Sequence, residues 1–420
     1  MKCGVYDMRR VFRVLMICAC LFASGILPVQ LSYAKSAISD FPIVAEDAAV
    51  FYLVPHQLTA SLNKSSVSLD SVTLKAAPLL KKNGQLYFPF KWLETAHLAK
   101  VKWDAKTGSS WAEFNSENRA NFSFFRLMPN RSKIYLETNG SLEALDGTIP
   151  TTFTKKGQLY VPVSLLPRMG VNYSWSKGVL HLKWSDKVVK AIHPTYTTED
   201  NTITFSALAQ KEFGHVYLLQ NMGDGGFTSM IGGGISSITG TEKTIGGPII
   251  VGDREFRRIE YTVDLRPGEN PFKIYHNYMG SADIVVHREV SDPSSIPILY
   301  NHPSNEQDIS FTKPTQGYLR IQAGESIAIA GTVTDKQIQS NIVSFQVSMF
   351  QNGDYHLIGK KIAAPLDKNK EFSSSVVIQN PGTYLVNIYS PDVFIGGSSP
   401  YGSLKWAEIA VEVLPMGKKK

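Results

Sequence analysis

One motif occurs twice in this chain, first as Lys81-Lys82-Asn83-Gly84-Gln85-Leu86-Tyr87-Phe88-Pro89 and again as Lys155-Lys156-Gly157-Gln158-Leu159-Tyr160-Val161-Pro162. Gly84 and Gly157 lie where the chain must turn, because glycine adopts a positive φ without a steric penalty. Pro89 and Pro162 end the strand that follows, because proline has no N–H to donate to a β-ladder. Each copy therefore begins with a predicted β-hairpin that ends at a proline.

A short apolar stretch and then a tryptophan follow the proline in each copy. The stretches are Phe90-Lys91-Trp92-Leu93-Glu94 and Val163-Ser164-Leu165-Leu166, and the tryptophans are Trp103 and Trp175. Proline is well suited to the first turn of a helix, so we predict a short helix whose apolar face packs on the strands. Both tryptophans are predicted to fill the space beneath this helix. Trp111 and Trp184, on the alternating strands that close each copy, are also predicted to be core residues.

The repeat predicts a duplicated α+β domain at residues 65–190, with copies at about 67–115 and 145–186. In each copy a hairpin, a short helix and a second hairpin stack as one helical layer on one sheet layer. Residues 35–64, which precede the repeat, are predicted to be a linker or an N-terminal extension.

At these residues the chain resembles the copper amine oxidase N-terminal domain-like family, also called stalk domains. The resemblance covers about residues 65–185 and includes the pair Trp103-Asp104. The second copy departs from the pattern, because it has Trp175-Ser176 and because Pro167 interrupts its helix. The family occurs in many exported proteins of Gram-positive, spore-forming bacteria, so the resemblance implies an exported protein. It does not imply oxidase chemistry, because the nine histidines include no His-x-His pair.

From about residue 195 the sequence changes to short alternating strands and turns, such as Ile259/Tyr261/Val263 and Ile327/Ile329/Val333. Strands at this spacing are typical of β-sandwiches, and residues 256–290 resemble the closing half of bacterial Ig-like modules. We predict an Ig-like β-sandwich at 195–290, a polar linker at 291–308, a second Ig-like β-sandwich at 309–414 and a basic tail at 415–420. The predicted fold class is thus α+β and all-β: a duplicated stalk-type α+β domain followed by two Ig-like β-sandwich domains.

Residues 1–34 have the order of a secretory signal peptide. A basic start is followed by an apolar run from Val14 to Leu27 and by the small residues Ser32 and Ala34. This run is shorter than the roughly 20 apolar residues that a membrane anchor needs. Cleavage after Ala34 is therefore predicted, with a secreted or cell-surface-associated product. Lipoprotein processing at Cys20 is the weaker alternative, because Cys20 falls inside the apolar run.

The composition excludes several classes of site from the exported chain. Its three cysteines, Cys3, Cys18 and Cys20, all lie in the leader, so disulfides, thiolate nucleophiles and Cys-ligated zinc are excluded. Removing the leader takes four basic residues and one acid from totals of 43 and 36, which leaves a net charge of about +4. This modest excess does not fit a nucleic-acid binder, which would show a dense basic face. Lys418-Lys419-Lys420 are interpreted as a solvated terminus.

Two segments are the candidate ligand surfaces. The Gly-rich stretch from Met222 to Gly247, with Gly232 and Gly233, lacks the Gly-Lys-Ser/Thr of a phosphate-binding loop and is predicted to be a long loop. Tyr401 and Trp406 follow a second glycine-containing loop, Gly396-Gly397-Ser398-Ser399-Pro400, and are predicted to be exposed. No catalytic, cofactor-binding or metal-binding residue is predicted, because the sequence contains no His-Glu-x-x-His, calcium loop or nucleophile elbow.

The sequence thus predicts an exported, non-catalytic binding or spacer module at a Gram-positive cell surface or wall. Its expected partner is a cell-wall polysaccharide or an envelope protein. Nucleic acid is not expected, and membrane contact is expected only through the signal peptide. The alternative is an exported wall-active hydrolase with its site in the Gly-rich middle domain. A third possibility is a purely structural or assembly factor of the envelope.

Overall fold

The computed structural model describes residues 41–114, 124–138, 141–145, 147–220, 240–276, 280–300, 305–334, 341–389 and 405–416. Their strands are paired into six sheets of three to eight strands, and their helices are short, with three to seven residues each. The predicted mostly-β character is therefore confirmed. Three parts follow one another along the chain: a repeat unit (residues 47–191), a middle sandwich (195–288) and a C-terminal sandwich (293–414).

The repeat unit contains fourteen strands and two short helices. The strands are β1 (Asp47–Ser61), β2 (Ser66–Leu69), β3 (Val72–Lys75), β4 (Leu80–Lys82), β5 (Gln85–Pro89), β6 (Ala99–Asp104), β7 (Ser109–Phe114), β8 (Phe124–Leu127), β9 (Ile134–Thr138), β10 (Ser141–Ala144), β11 (Phe153–Lys155), β12 (Gln158–Pro162), β13 (Asn172–Ser176) and β14 (Val179–Ala191). The helices are α1 (Trp92–Thr95) and the 3-10 helix η1 (Val163–Met169), which contains Pro167. The short helices predicted after the two prolines are both present, and the second extends through Met169, whereas the predicted α+β layering is not shown.

The two copies of the motif meet in a four-stranded sheet with the order β11-β12-β5-β4. The central pair is antiparallel, with Phe88 opposite Val161, Tyr87 opposite Pro162 and Pro89 opposite Tyr160. Since Phe88 and Val161 hold the same place in the motif, the register is that of a local two-fold axis through this pair. The hairpins predicted at the two glycine turns are present as β4–β5 and β11–β12.

The described residues of the middle sandwich, 195–220, 240–276 and 280–288, form seven strands and one 3-10 helix. They are β15 (Thr195–Thr198), β16 (Thr202–Gln210), η2 (Lys211–Phe213), β17 (Tyr217–Gln220), β18 (Gly240–Val251), β19 (Arg254–Asp264), β20 (Gly268–Tyr275) and β21 (Ser281–Arg288). One sheet has the order β15-β21-β20-β17. The other is part of an eight-stranded sheet in which six strands have the order β13-β14-β1-β16-β19-β18, while β2 pairs with β1 and β3 pairs with β2. The buried side chains of Phe205, Tyr261, Phe272 and Ile284 fill the space between them.

The N-terminal strand β1 belongs to both the repeat unit and the middle sandwich. It pairs antiparallel with β14 from Ala49 opposite Ala191 to Ser61 opposite Val179, and its first residues pair in parallel with β16. Residues 35–64 were predicted to be a linker or extension, and this prediction is wrong for 47–61. The strand is buried along its first half because it lies between β14 and β16, two partners that are far away in sequence.

A buried carboxylate fixes the start of β1 to the middle sandwich. Asp47 is fully buried and accepts hydrogen bonds from Arg258 Nε and Nη2, both at 2.9 Å. It also accepts the Ser206 hydroxyl at 2.7 Å and the Val44 backbone N–H at 3.0 Å. A buried carboxylate is tolerated only when it is paired and hydrogen-bonded in this way. The hydrogen bonds of Asp47 therefore fix the position of β1 on the middle sandwich, in addition to the apolar contacts of the strand.

The C-terminal sandwich contains nine strands and two short helices. They are η3 (Pro293–Ser295), β22 (Leu299–Tyr300), α2 (Asn305–Asp308), β23 (Ile309–Lys313), β24 (Tyr318–Gln322), β25 (Ser326–Val333), β26 (Ile342–Gln351), β27 (Asp354–Pro365), β28 (Glu371–Val377), β29 (Gly382–Tyr389) and β30 (Lys405–Leu414). One sheet has the order β22-β30-β29-β26-β27, with β24 parallel to β30, and the other is β23-β25-β28. The predicted linker 291–308 therefore includes a strand, β22, of this sandwich.

A buried charge cluster joins the two sandwiches. Arg266 Nη1 lies 3.3 Å from Glu408 Oε2, and Lys405 Nζ lies 2.6 Å from the same oxygen. The Arg266 guanidinium stacks over the Tyr355 ring, and the Tyr355 hydroxyl donates to the Glu269 carbonyl oxygen at 3.0 Å. Burial raises the pKa of Glu408, but the neighbouring charges of Arg266 and Lys405 outweigh it and lower this pKa.

A second buried cluster lies inside the repeat unit, around His56 on β1. Its Nδ1 is 2.7 Å from Asp70 Oδ2, its Nε2 is 3.2 Å from Asp186 Oδ2, and its ring stacks on Trp184. Burial lowers the pKa of His56, but its hydrogen bonds to Asp186 and Asp70 and their charges outweigh this effect. The pKa is therefore raised above the ordinary value of 6.5.

We expect Asp47→Ala to lower the free energy of unfolding by about 3 kcal/mol, because it leaves the Arg258 guanidinium without its buried counter-charge. Glu46→Ala, at the exposed neighbouring residue, is the matched control and should change it by less than about 0.5 kcal/mol. Urea unfolding at pH 7 measures both. Equal urea midpoints for the two variants would contradict the role given to Asp47.

We expect the stabilisation by His56 to depend on pH with a defined sign. Because the folded-state pKa is raised, the advantage of the wild type over His56→Gln is full below pH 6.5 and declines as pH rises through the folded-state pKa. Urea unfolding between about pH 5 and pH 8 measures the difference. His215→Gln, at an exposed histidine of the middle sandwich, is the control. A wild-type advantage that stays constant with pH would show that His56 is not charged in the folded protein.

Candidate functional site

A groove with a cavity volume of about 550 Å³ opens between the two copies of the motif, and we call it the Trp103 groove. Trp103 lies on β6 and is 55% exposed. The polar residues that line the groove are Lys91, Lys102, Ser110, Thr154 and Gln158, of which Lys102 directs its ammonium to Trp111 on the other face of β6. Phe90, Val101 and Leu159 supply the apolar surface. An exposed indole among amide, hydroxyl and ammonium groups is a candidate binding surface.

The exposure of Trp103 follows from its place at the end of β6. Val101 and Trp103 point to the same face of the strand, because alternate residues of a strand share a face. Val101 packs against the core of the repeat unit, whereas Trp103, one step further along the strand, extends past the edge of that core. The residue opposite Trp103 on β7 is Ser110, which is too small to cover the indole.

Asp104 holds the strand end that carries Trp103. Its carboxylate accepts hydrogen bonds from Arg126 Nη1 at 2.7 Å, the Thr107 hydroxyl at 2.9 Å and the Lys106 backbone N–H at 2.9 Å. The hydrogen bond from Arg126 is the main reason why the pKa of Asp104 falls to about 2. The aspartate of the Trp-Asp pair therefore orders the β6–β7 turn beside the groove.

The opposite wall comes from the second copy. Lys156 and Gly157 both have positive φ, which is the backbone of a tight two-residue hairpin turn. A Cβ atom at Gly157 would meet no atom within 4 Å, so glycine is required there for its φ and not for space. The Phe90 backbone N–H donates to the Leu159 carbonyl oxygen at 2.8 Å, which holds this hairpin against the first copy.

Three tryptophans have the opposite solvent exposure to the one predicted from the sequence. Trp103 and Trp175 were predicted to be core residues, but they are 55% and 37% exposed. Trp406 was predicted to be exposed, but it is only 3% exposed and packs in the core of the C-terminal sandwich, because β30 is a central strand. Trp184 is buried as predicted. Trp111 is half-buried, with Lys102 Nζ 5.0 Å from its ring centroid.

The other predicted ligand residues, Tyr401, Gly232 and Gly233, lie outside the described residues. Only the end of the Gly-rich stretch is described, and it forms β18 rather than a loop. Its register against β19 shifts between Ile245 and Ile249, at the two glycines Gly246 and Gly247. The shift interrupts the regular pairing of β18, which lies at the end of the strand order of its sheet.

A second cavity, of about 400 Å³, lies where the middle and C-terminal sandwiches meet. Polar side chains that line this cavity pair with one another. Glu412 accepts hydrogen bonds from Arg320 Nε at 2.6 Å and from the Tyr318 hydroxyl at 2.7 Å. Burial, followed by the hydrogen bond to Glu412, raises the pKa of Tyr318 to about 12. His287, on the same wall, lies 3.0 Å from Glu269. We interpret this cavity as part of the junction between the sandwiches.

Two features are absent from the part of the chain that the structure describes. No group of three or more His, Cys, Asp or Glu side chains there is placed to hold a metal ion. No helix in that part has the length and apolar character needed to span a membrane.

No family model matches the chain, and no curated protein matches it at a significant level. Among solved structures, a putative membrane anchored protein from Corynebacterium diphtheriae is 11% identical over 89% of this chain and 60% of that one, with a TM-score of 0.15. A marsupial T cell receptor is 10% identical over 53% and 70%, with a TM-score of 0.16. Extracellular domains 3–5 of Drosophila OTK are 11% identical over 70% and 90%, with a TM-score of 0.13. The chain spans only 60% of the length of the Corynebacterium protein, and TM-scores this low support no conclusion about fold or function.

We expect two tryptophan variants of the repeat unit to differ in stability, because Trp103 is on the surface and Trp184 is in the core. Trp103→Ala should lower the free energy of unfolding by less than about 1 kcal/mol, because the indole is largely exposed. Trp184→Ala should lower it by about 3 kcal/mol or more, because it leaves a cavity beside His56. Urea unfolding at one pH measures both. A larger loss for Trp103→Ala than for Trp184→Ala would mean that Trp103 serves packing.

Proposed function

We propose that this chain is an exported, non-catalytic binding module of a Gram-positive cell surface, and that the Trp103 groove binds a segment of cell-wall polysaccharide. The observation that carries the proposal is the exposed Trp103 indole in a groove with hydroxyl, amide and ammonium side chains. Folding leaves a large apolar ring in water at this place, and a ligand that covers the ring gains the free energy of its burial.

A sugar polymer fits this combination of groups. The C–H faces of a sugar ring are weakly positive and stack on the negative face of an indole. The sugar hydroxyls need polar partners, and Gln158 and Thr154 offer them on the wall opposite Trp103. The groove volume is within the usual range for ligand sites.

Lys91 favours a polymer that also carries negative charge. Lys91 Nζ is exposed at the rim and lies 3.6 Å from Glu94, a surface pair that leaves the ammonium open to other partners. Attraction between such exposed groups is screened by salt, so this contribution to binding should weaken as salt is added.

The remaining parts are proposed to act as spacers. The duplicated glycine hairpins around Gly84 and Gly157 support the stalk-domain resemblance, and the two sandwiches are proposed to be Ig-like. The pair β1–β14 and the Arg266–Glu408 contact link the three parts without a long unstructured connection. Such a chain would hold the groove at a fixed distance from its point of attachment.

Enzymatic action is not part of the proposal. Asp104, Glu408 and Glu412 are carboxylates with lowered pKa, and each is hydrogen-bonded to an arginine or lysine. These partners keep the carboxylates ionised, whereas a general acid needs a raised pKa to hold its proton. We therefore assign these three carboxylates to ion pairs that stabilise the fold.

The test is retention of the purified protein on insoluble peptidoglycan at physiological salt. We expect the wild type to be retained and Trp103→Ala to bind about tenfold more weakly, because a stacked aromatic of this kind is worth about 1.4 kcal/mol. Tyr217→Ala, at an exposed aromatic residue of the middle sandwich, is the matched control and should bind like the wild type.

Two results would overturn the proposal. Wild-type protein that stays in the supernatant would show that wall polysaccharide is not the ligand. Release of soluble fragments from the peptidoglycan would favour a hydrolase instead.

A further inference from the structure

We propose that the repeat unit binds a phosphate-bearing polymer of the cell envelope through four exposed lysines, Lys81, Lys82, Lys155 and Lys156, which we call the lysine surface. Each copy of the motif contributes one Lys-Lys pair. The inference goes beyond the Trp103 groove, because it assigns a second class of ligand to a different set of residues. It rests on the proposed function only for the exported location, which brings the chain to the envelope.

The positive charge of the chain is concentrated in the repeat unit. Residues 47–191 contain 19 Lys and Arg against 10 Asp and Glu, a net charge of +9. Residues 192–420 contain 19 Lys and Arg against 23 Asp and Glu, a net charge of −4. The modest net charge of the whole chain therefore conceals a basic part and an acidic part. A part with a strong excess of positive charge attracts polyanions.

The positive side chains of the repeat unit face solvent, whereas several of its negative side chains do not. Among its described residues, 15 Lys and Arg side chains are exposed, and 13 of these are lysines. Four of its aspartates are buried or half-buried and are paired with Arg or His, namely Asp47, Asp70, Asp104 and Asp186. The acidic side chains that are exposed in the same residues are Glu94, Glu113 and Glu143. Little negative charge is thus left to neutralise the lysines.

The central sheet brings the two Lys-Lys pairs together. Lys82 on β4 reaches the second copy, where its Nζ lies 4.4 Å from the ring centroid of Phe153 on β11. Lys155 follows Phe153 by two residues on the same strand, so both side chains point to one face of the sheet. Lys81 and Lys156 are the chain neighbours of Lys82 and Lys155. Among the residues that the structure describes, none of these four ammonium groups is paired with a carboxylate.

An aromatic cluster supports the lysine surface from below. The Phe153 ring stacks on the Tyr160 ring with 5.3 Å between centroids, and it meets the Tyr87 ring edge-on at 5.0 Å. Tyr87 and Tyr160 are only 5% and 2% exposed. The described part of this surface therefore lacks the exposed aromatic rings that insert into a membrane or stack on nucleotide bases. A charged polymer that stays in water fits it better.

Lysine side chains suit phosphate groups along a flexible polymer. An ammonium is a compact point charge with three rotatable donors, so it does not need one fixed orientation of its partner. Four such groups close together repel one another, and a polymer that places phosphates beside them relieves this repulsion. The polymer also releases its own counterions when it binds. Binding through several lysines should therefore depend strongly on salt.

The experiment measures the affinity of the purified protein for long-chain inorganic polyphosphate at several salt concentrations. The lysine variant carries Lys81→Gln, Lys82→Gln, Lys155→Gln and Lys156→Gln. We expect it to bind at least about tenfold more weakly than the wild type near 0.1 M salt. The slope of log affinity against log salt should fall by about 3, because each phosphate contact contributes roughly 0.7 to it.

A quadruple variant of the C-terminal sandwich is the matched control and should bind polyphosphate like the wild type. It removes the same charge from another adjacent pair and two nearby lysines. Like Lys82, one of them lies over an aromatic ring, and like Lys156, one has a positive φ. The control substitutions are Lys360→Gln, Lys361→Gln, Lys368→Gln and Lys370→Gln.

A second measurement separates the lysine surface from the Trp103 groove. It compares insoluble peptidoglycan before and after its phosphodiester-linked polymers are removed with hydrofluoric acid. The lysine variant should bind the untreated material more weakly than the wild type does, and it should bind the treated material like the wild type. Trp103→Ala should show the opposite pattern, with weakened binding to treated peptidoglycan and unchanged binding to polyphosphate.

Urea unfolding of each variant verifies that it is folded. If the lysine variant is unfolded, the double variant Lys81→Gln/Lys155→Gln takes its place, because it keeps Lys82 over Phe153 and Lys156 in its turn. The double variant should lower the salt slope by about 1.5.

Three results would overturn the lysine surface. Wild-type protein that does not bind polyphosphate would do so, and its retention on treated peptidoglycan would still leave the proposed function intact. Equal losses in the lysine variant and the control would assign binding to net charge alone. Binding to phosphatidylglycerol vesicles that polyphosphate does not displace would show that these lysines contact a membrane instead.

Discussion

The antiparallel pair of β1 and β14 is the constraint on which the rest of the structure depends. It runs from Ala49 opposite Ala191 to Ser61 opposite Val179 and passes from one hydrophobic core into another. Phe51 on β1 packs in the core of the middle sandwich, whereas Leu58 on the same strand packs in the core of the repeat unit. Most of the repeat unit is thus inserted between β1 and β14, two strands of a larger sheet. Each of the two cores contains side chains from both of these strands.

This arrangement explains how a surface without a deep pocket can still be well defined. The Trp103 groove is formed by two copies of one motif, and their contact is fixed by the register at Phe88 and Val161. The same unit is tied to the middle sandwich by β1, whose start is held by the Asp47–Arg258 ion pair. Side chains placed by packed strands in this way lose little further entropy when a ligand binds.

The sequence predicted those parts of the fold that depend on residues close together in the chain. The hairpins at Gly84 and Gly157 were predictable because glycine turns and proline strand ends are decided within a few residues. The strand β1 was missed because its partners β14 and β16 lie more than a hundred residues away. For the same reason Trp103 was wrongly predicted to be buried and Trp406 was wrongly predicted to be exposed. The alternation of apolar residues shows on which face of a strand a side chain lies, but not which other strands cover that face. The groove was missed because its walls come from both copies.

Native-state hydrogen exchange along β1 tests most directly whether the two cores are one cooperative structure. The shared pair predicts that the amides of Phe51 and Leu58 open with the same free energy, equal to that of global unfolding. If the Phe51 amide followed the opening of the middle sandwich while the Leu58 amide followed a separate opening of the repeat unit, β1 would not couple the two cores, and the account would be contradicted.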